Sequence, residues 1–140
     1  MNPVKVRNIT IGEGTPKICV PIVGVTKEEI LDIVKKYGQA AKRAQIAGFD
    51  AVEIHAGHSY LISQFLSPTT NKRTDEFGGS VENRTRFCRM VIEEVRKQVG
   101  PFSPIMLCLS ADEMVEGGNT LEDTLKYLEY VYLYRNTGNT

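Results

Sequence analysis

The chain has 140 residues, 41% of them hydrophobic and 24% charged, and its 17 Lys and Arg balance its 17 Asp and Glu. This composition excludes a disordered or fibrous chain, and zero formal charge argues against nucleic acid or an anionic membrane as a partner. The three cysteines, Cys19, Cys88 and Cys108, form no CxxC pair, so no disulfide framework, zinc site or iron–sulfur centre is signalled and a reducing compartment is expected. The opening residues Met1-Asn2-Pro3-Val4-Lys5 carry no apolar signal core, and no apolar run approaches the ~18 residues of a membrane helix. A cytoplasmic location is therefore expected.

In chain order, Lys17 to Gly24 (KICVPIVG) is a β-branched apolar run behind a turn-rich Gly12-Glu13-Gly14-Thr15-Pro16, and reads as a buried strand. Thr26 and Glu29 form a T-x-x-E capping box, and Val25 and Ile30 occupy the two positions of a hydrophobic staple. The helix they open runs from about Lys27 to Ala47, with Ile30, Ile33, Val34, Tyr37, Ala41 and Ala44 on one face and Gly48 as a left-handed cap. Phe49 to His55 (FDAVEIH) reads as a second strand. A polar, Gly-rich stretch follows through Gly79, longer than an ordinary connection and so a candidate functional loop.

Ser80 is a good N-cap for a second helix whose buried stripe is Cys88, Val91, Ile92, Val95 and Val99, stopped by Gly100-Pro101. Pro104 to Ser110 (PIMLCLS) is a third strand. A third helix follows, capped by Thr120, with Leu121, Leu125, Leu128 and Tyr132 as its stripe, and residues 135–140 read as a tail. The order β-α-β-α-β-α demands a parallel α/β sheet with right-handed crossovers. No internal repeat or low-complexity segment interrupts it.

In parallel α/β folds the ligand lies beyond the C-terminal ends of the strands. Both histidines of the chain stand there, in His55-Ala56-Gly57-His58-Ser59-Tyr60. Strand alternation puts Ala51, Glu53 and His55 on one face and Val52 and Ile54 on the other. Two imidazoles and a phenol at such a place can hydrogen-bond a carbonyl oxygen and deliver a proton, which is what polarising an electron-poor alkene and protonating its carbon require. A structural histidine pair is the competing reading, and a metal would need further ligands and lacks the i,i+4 spacing of a helical HExxH. Gly12-Glu13-Gly14 precedes a strand and Gly117-Gly118 a helix; both read as turns and not as phosphate loops. Asn71-Lys72-Arg73, balanced by Asp75 and Glu76, reads as a solvated loop.

Three segments carry a resemblance: Ala40 to His58 (AAKRAQIAGFDAVEIHAGH), Tyr60 to Arg86 (YLISQFLSPTTNKRTDEFGGSVENRTR) and Leu107 to Gly118 (LCLSADEMVEGG). From about Thr26 to Val131 the chain closely resembles the FMN-dependent Old Yellow Enzyme family, in particular its 2-enoate and 2,4-dienoyl-CoA reductase branch. The resemblance implies a TIM barrel, FMN as cofactor, NAD(P)H as electron donor and a small activated alkene as substrate. It implies that His55 and His58 bind the substrate carbonyl oxygen, that Tyr60 is the proton donor, and that Arg86 with Gly78-Gly79-Ser80 is structural. Where the family carries an arginine on the flavin ring, this chain has Cys108, a neutral thiol that cannot offset negative charge as guanidinium does.

The three βα units are part of the ~250 residues of a whole barrel, so a partial TIM barrel over residues 26–134 is the expected architecture. A non-catalytic piece that needs a partner, or a homo-oligomer covering the open sheet, is the alternative. Residues 1–25 form a separate N-terminal portion: Val4 to Ile30 resembles the start of type I 3-dehydroquinate dehydratase, which makes a hydro-lyase a third reading and implies a recombined chain, a truncated chain or a chimera of two barrels.

Overall fold

The computed structural model describes residues 24–137, with side chains through Tyr132. Residues 17–23 of the first expected strand, and the Gly12-Glu13-Gly14 turn, lie outside the described residues. The elements are α1 (Lys27–Ile46), β1 (Val52–Ala56), α2 (Leu61–Leu66), α3 (Val81–Val99), β2 (Ile105–Leu109) and α4 (Leu121–Thr137). The two strands pair in parallel, Val52 opposite Ile105 through Ala56 opposite Leu109. No helix among the described residues is long and apolar enough to cross a membrane.

The start of α1 follows its local signals. Thr26 Oγ1 accepts from the Glu29 amide at 3.2 Å while the Thr26 amide donates to the Glu29 carboxylate at 2.7 Å, and Gly48 beyond the C-cap has φ 90°. Ile30, Val34 and Ala41 are buried. At Gly38 the helix meets α3 closely, since a Cβ there would lie 2.8 Å from Glu94 Cγ. Ser80 Oγ caps α3 by accepting from the Asn83 amide, and Gly100 ends it at φ 82°. The stripe of Phe87, Cys88, Val91, Val95 and Val99 is buried, with Ile92 at its margin.

Five expectations need correction. The strand expected from Phe49 begins at Val52, because the ladder opens with the Val52 amide on Pro104 O, and Phe49 is exposed. The long Gly-rich loop contains α2, whose Ile62, Phe65 and Leu66 enter the core; Phe65 packs on Phe87 with ring centroids 4.5 Å apart. The Asn71-Lys72-Arg73 segment is more than a solvated loop. Buried Asn71 donates to Phe65 O and Phe77 O at 2.6 and 2.7 Å, while Arg73 donates to Val25 O and pairs with Asp75, whose carboxyl it holds below the usual range.

The largest correction concerns α4. Its expected stripe, Leu121, Leu125, Leu128 and Tyr132, is exposed, and the buried side chains are Thr124 and Tyr127 instead. A barrel helix covers its own strand and the next one, and among the described residues no strand lies beyond β2. The apolar face therefore borders solvent and one wall of a cavity of about 450 Å³ between α3, β2 and α4, which Ile92, Ile105, Leu107 and Leu128 help to line. The backbone also stays helical through Thr137, two residues past Arg135, where the tail was expected. Leu125→Ala is expected to change unfolding free energy by less than about 0.5 kcal/mol, as at other exposed positions, and urea unfolding checks this.

Candidate active site

Alternation along β1 turns Val52, Ile54 and Ala56 to the helices and Glu53 and His55 to the open face, as the sequence pattern requires. Beyond Ala56 the chain makes a tight turn in which His58 and Ser59 both take left-handed φ values, 55° and 59°. Non-glycine residues rarely sit there, and such strain persists only where surroundings impose it. Those surroundings are identifiable: the His58 amide donates to Ser110 Oγ at 3.1 Å, the Tyr60 amide to Gly57 O, and Gln64 Nε2 to Ser59 O at 2.8 Å. A Cβ at Gly57 would stand 3.1 Å from Ser110 Oγ and 3.3 Å from Ser110 N, so a side chain there would press on the segment that holds the turn.

The turn brings His55, His58 and Tyr60 together. His58 Nδ1 lies 3.3 Å from His55 Nε2, and the His55 ring centroid is 5.1 Å from that of His58 and 5.2 Å from that of Tyr60. Tyr60 is 63% exposed, so its phenol is open to an incoming molecule. One imidazole of such a pair donates to the other, and a carbonyl oxygen arriving beside them can accept from both once each presents an N–H. Cys108 stands opposite His55 in the parallel register, on the same open face. Buried Cys88 is different in kind, its thiol pushed up to about 12 by burial. Brief alkylation of the native protein is expected to label Cys108 and spare Cys88, as read by peptide mass spectrometry.

Sequence reasoning missed the residues that hold this region in place. Arg84, buried on α3, donates to Leu66 O at 2.8 Å, to Gly79 O, and to the Tyr127 hydroxyl at 3.0 Å. Glu113 accepts from Ser67 Oγ and from the Asn119 amide, tying α2 to the loop before α4. Arg86 is structural as expected, donating to Glu76 O at 2.7 Å and to Asn83. No local spacing announces such contacts, because their acceptors are carbonyls from distant segments.

Parallel βα units with imidazoles and a phenol at the C-terminal end of a strand have the arrangement of one sector of an α/β barrel. The chain belongs to the NADH:flavin oxidoreductase / NADH oxidase family, whose profile matches residues 9–138. It is 55% identical over 89 residues to an NADPH dehydrogenase of Clostridium acetobutylicum, covering 64% of this chain and 26% of that protein. It is 50% identical over 99 residues to an NADH oxidase of Thermoanaerobacter brockii, covering 71% and 15%. Among solved structures, 2-naphthoyl-CoA reductase superposes with TM-score 0.78 at 38% identity, over 81% of this chain and 17% of that one. The Old Yellow Enzyme of a Pichia species superposes with TM-score 0.73 at 35% identity, over 84% and 33%. The chain thus spans between 15% and 26% of the two curated relatives.

The family uses FMN, with NAD(P)H as electron donor. The open-face strand residues by themselves do not fit that group. The strand residues of the open face are Glu53, His55, Met106 and Cys108, a set with no Lys or Arg to meet a phosphate or the negative charge of a reduced ring, and with an exposed carboxylate that opposes both. No step through a flavin is assigned to them.

Proposed function

We propose that this chain carries the carbonyl-binding and protonating side of an ene-reductase site, acting on small activated alkenes such as enones or 2-enoates. Reducing such an alkene adds hydride to the β-carbon and a proton to the α-carbon. The described residues account for the second half and for activation: His55 and His58 donate to the carbonyl oxygen, drawing electron density from the β-carbon, and the Tyr60 hydroxyl supplies the proton. The observation that carries this reading is the convergence of His55, His58 and Tyr60 on the ligand end of β1, held by a strained turn.

The experiment is a graft. The matching segment of the Clostridium acetobutylicum NADPH dehydrogenase is replaced by that of this chain, and NADPH oxidation is followed with and without 2-cyclohexenone. Enone-dependent oxidation by the folded, flavin-loaded graft is the expected result. A graft that holds flavin and oxidises NADPH with oxygen, yet ignores the enone, overturns the reading.

A further inference from the structure

The open sheet face holds a second set of groups. Glu53 and His55 share that face of β1, and Cys108, the register partner of His55, projects from β2 to the same side. One carboxylate oxygen, one imidazole nitrogen and the Cys108 sulfur all lie within 4.8 Å of one another. The two strands are separated by two helices, α2 and α3, and by 48 intervening residues between Ala56 and Ile105, so no local motif could have announced the set. Among the described residues, neither the Glu53 carboxylate nor the Cys108 thiol has a hydrogen-bond or ion-pair partner.

We propose that Glu53, His55 and Cys108 form a three-ligand site for Zn²⁺. Zinc bonds of roughly 2.0–2.3 Å to nitrogen, oxygen and sulfur place tetrahedral ligand atoms on the order of 3.5 Å apart. Three atoms already within 4.8 Å reach that spacing by side-chain rotation, with the strands left in register. The donor chemistry selects the metal: thiolate and imidazole disfavour Mg²⁺ and Ca²⁺, and suit zinc. Charge balances as well, since one thiolate and one carboxylate neutralise a divalent ion. On binding, the Cys108 S–H bond gives way to an S–Zn bond and its proton passes to water.

His58 completes the arrangement from outside. With His55 ligating through Nδ1, its Nε2–H donates to His58 Nδ1, 3.3 Å away, the kind of outer hydrogen bond that fixes a ligand histidine's tautomer and orientation. The fourth position stays open to water, as in zinc sites that act on substrates. Metal and alkene carbonyl compete for His55, so zinc occupancy blocks the reading proposed above without depending on it.

The test is a Co²⁺ titration of the reduced chain under anaerobic conditions, with neither flavin nor alkene present. A thiolate-to-cobalt charge-transfer band that saturates at one equivalent, with tetrahedral d–d bands and displacement by Zn²⁺, is expected. Cys108→Ser removes the charge-transfer band, and Cys19→Ser leaves it. Glu53→Gln and His55→Asn, each shown by circular dichroism to fold, weaken binding at least as much as loss of an outer partner does, about 10–100-fold. In parallel, Zn²⁺ protects Cys108 from alkylation. No charge-transfer band in the wild type, a band that survives Cys108→Ser, or full affinity in Glu53→Gln each overturns the site.

Discussion

Tyr60→Phe in the grafted enzyme is expected to slow enone reduction by about 10²–10⁴-fold, the usual contribution of a positioned general acid. The enone should bind as well as before, because the carbonyl is held by His55 and His58 and the phenol's ring is retained. NADPH oxidation with oxygen as acceptor needs no proton placed on carbon, so it should be unchanged and reports that the variant is folded and loaded. Equal losses in both assays would refer the effect to structure, and no loss in either would remove Tyr60 from the reaction. Tyr60 is exposed and its hydroxyl makes no cap hydrogen bond to α2, so the substitution removes nothing that holds the fold.

Arg84→Met is expected to destabilise the chain by about 3–5 kcal/mol, given ~1.5–3 kcal/mol for a buried hydrogen bond from a charged donor. Arg84 serves three acceptors from three segments: Leu66 O at the end of α2, Gly79 O before α3, and the Tyr127 hydroxyl on α4. Methionine fills the volume and leaves those acceptors short of donors, so the loss is of hydrogen bonds and not of packing. Arg84→Lys should recover less than half, because an ammonium on a single stem cannot reproduce the guanidinium fork. Tyr127→Phe, which removes one shared hydroxyl, should cost about 1–2 kcal/mol. Urea midpoints with an unchanged slope would read these values; a loss below 1 kcal/mol for Arg84→Met would show that solvent replaces the guanidinium. Since α2 begins directly after Tyr60, loosening its far end should also blur the position of the phenol.

The comparison of α1 with α4 shows how far the sequence could be read. Both carry an apolar stripe at helical spacing, and both are helices. In α1 the stripe is core because α3 lies against it; in α4 it is exposed, and among the described residues no strand beyond β2 packs on it. Periodicity reports which face would be buried given a partner, and it cannot supply the partner. The helix α2 is the reverse case: Ile62, Phe65 and Leu66 stand at i, i+3 and i+4, a signal too short to outweigh the glycines and polar residues around it.

The candidate site divides in the same way. Legible from single segments were the succession of α1 and β1 and that of α3, β2 and α4, the caps of α1 and α3, the alternation that turns Glu53 and His55 to one face, and the grouping of His55, His58 and Tyr60 after β1. These are local properties, set by side-chain chemistry and the period of one element. Long-range pairing alone brings Cys108 opposite His55 and within reach of Glu53, sets Ser110 of the next unit against the strained turn at His58, and lets Arg84 tie α2 to α4. Each of those rests on register or packing between segments far apart in the chain, and side-chain spacing along one segment carries no information about the distance to another.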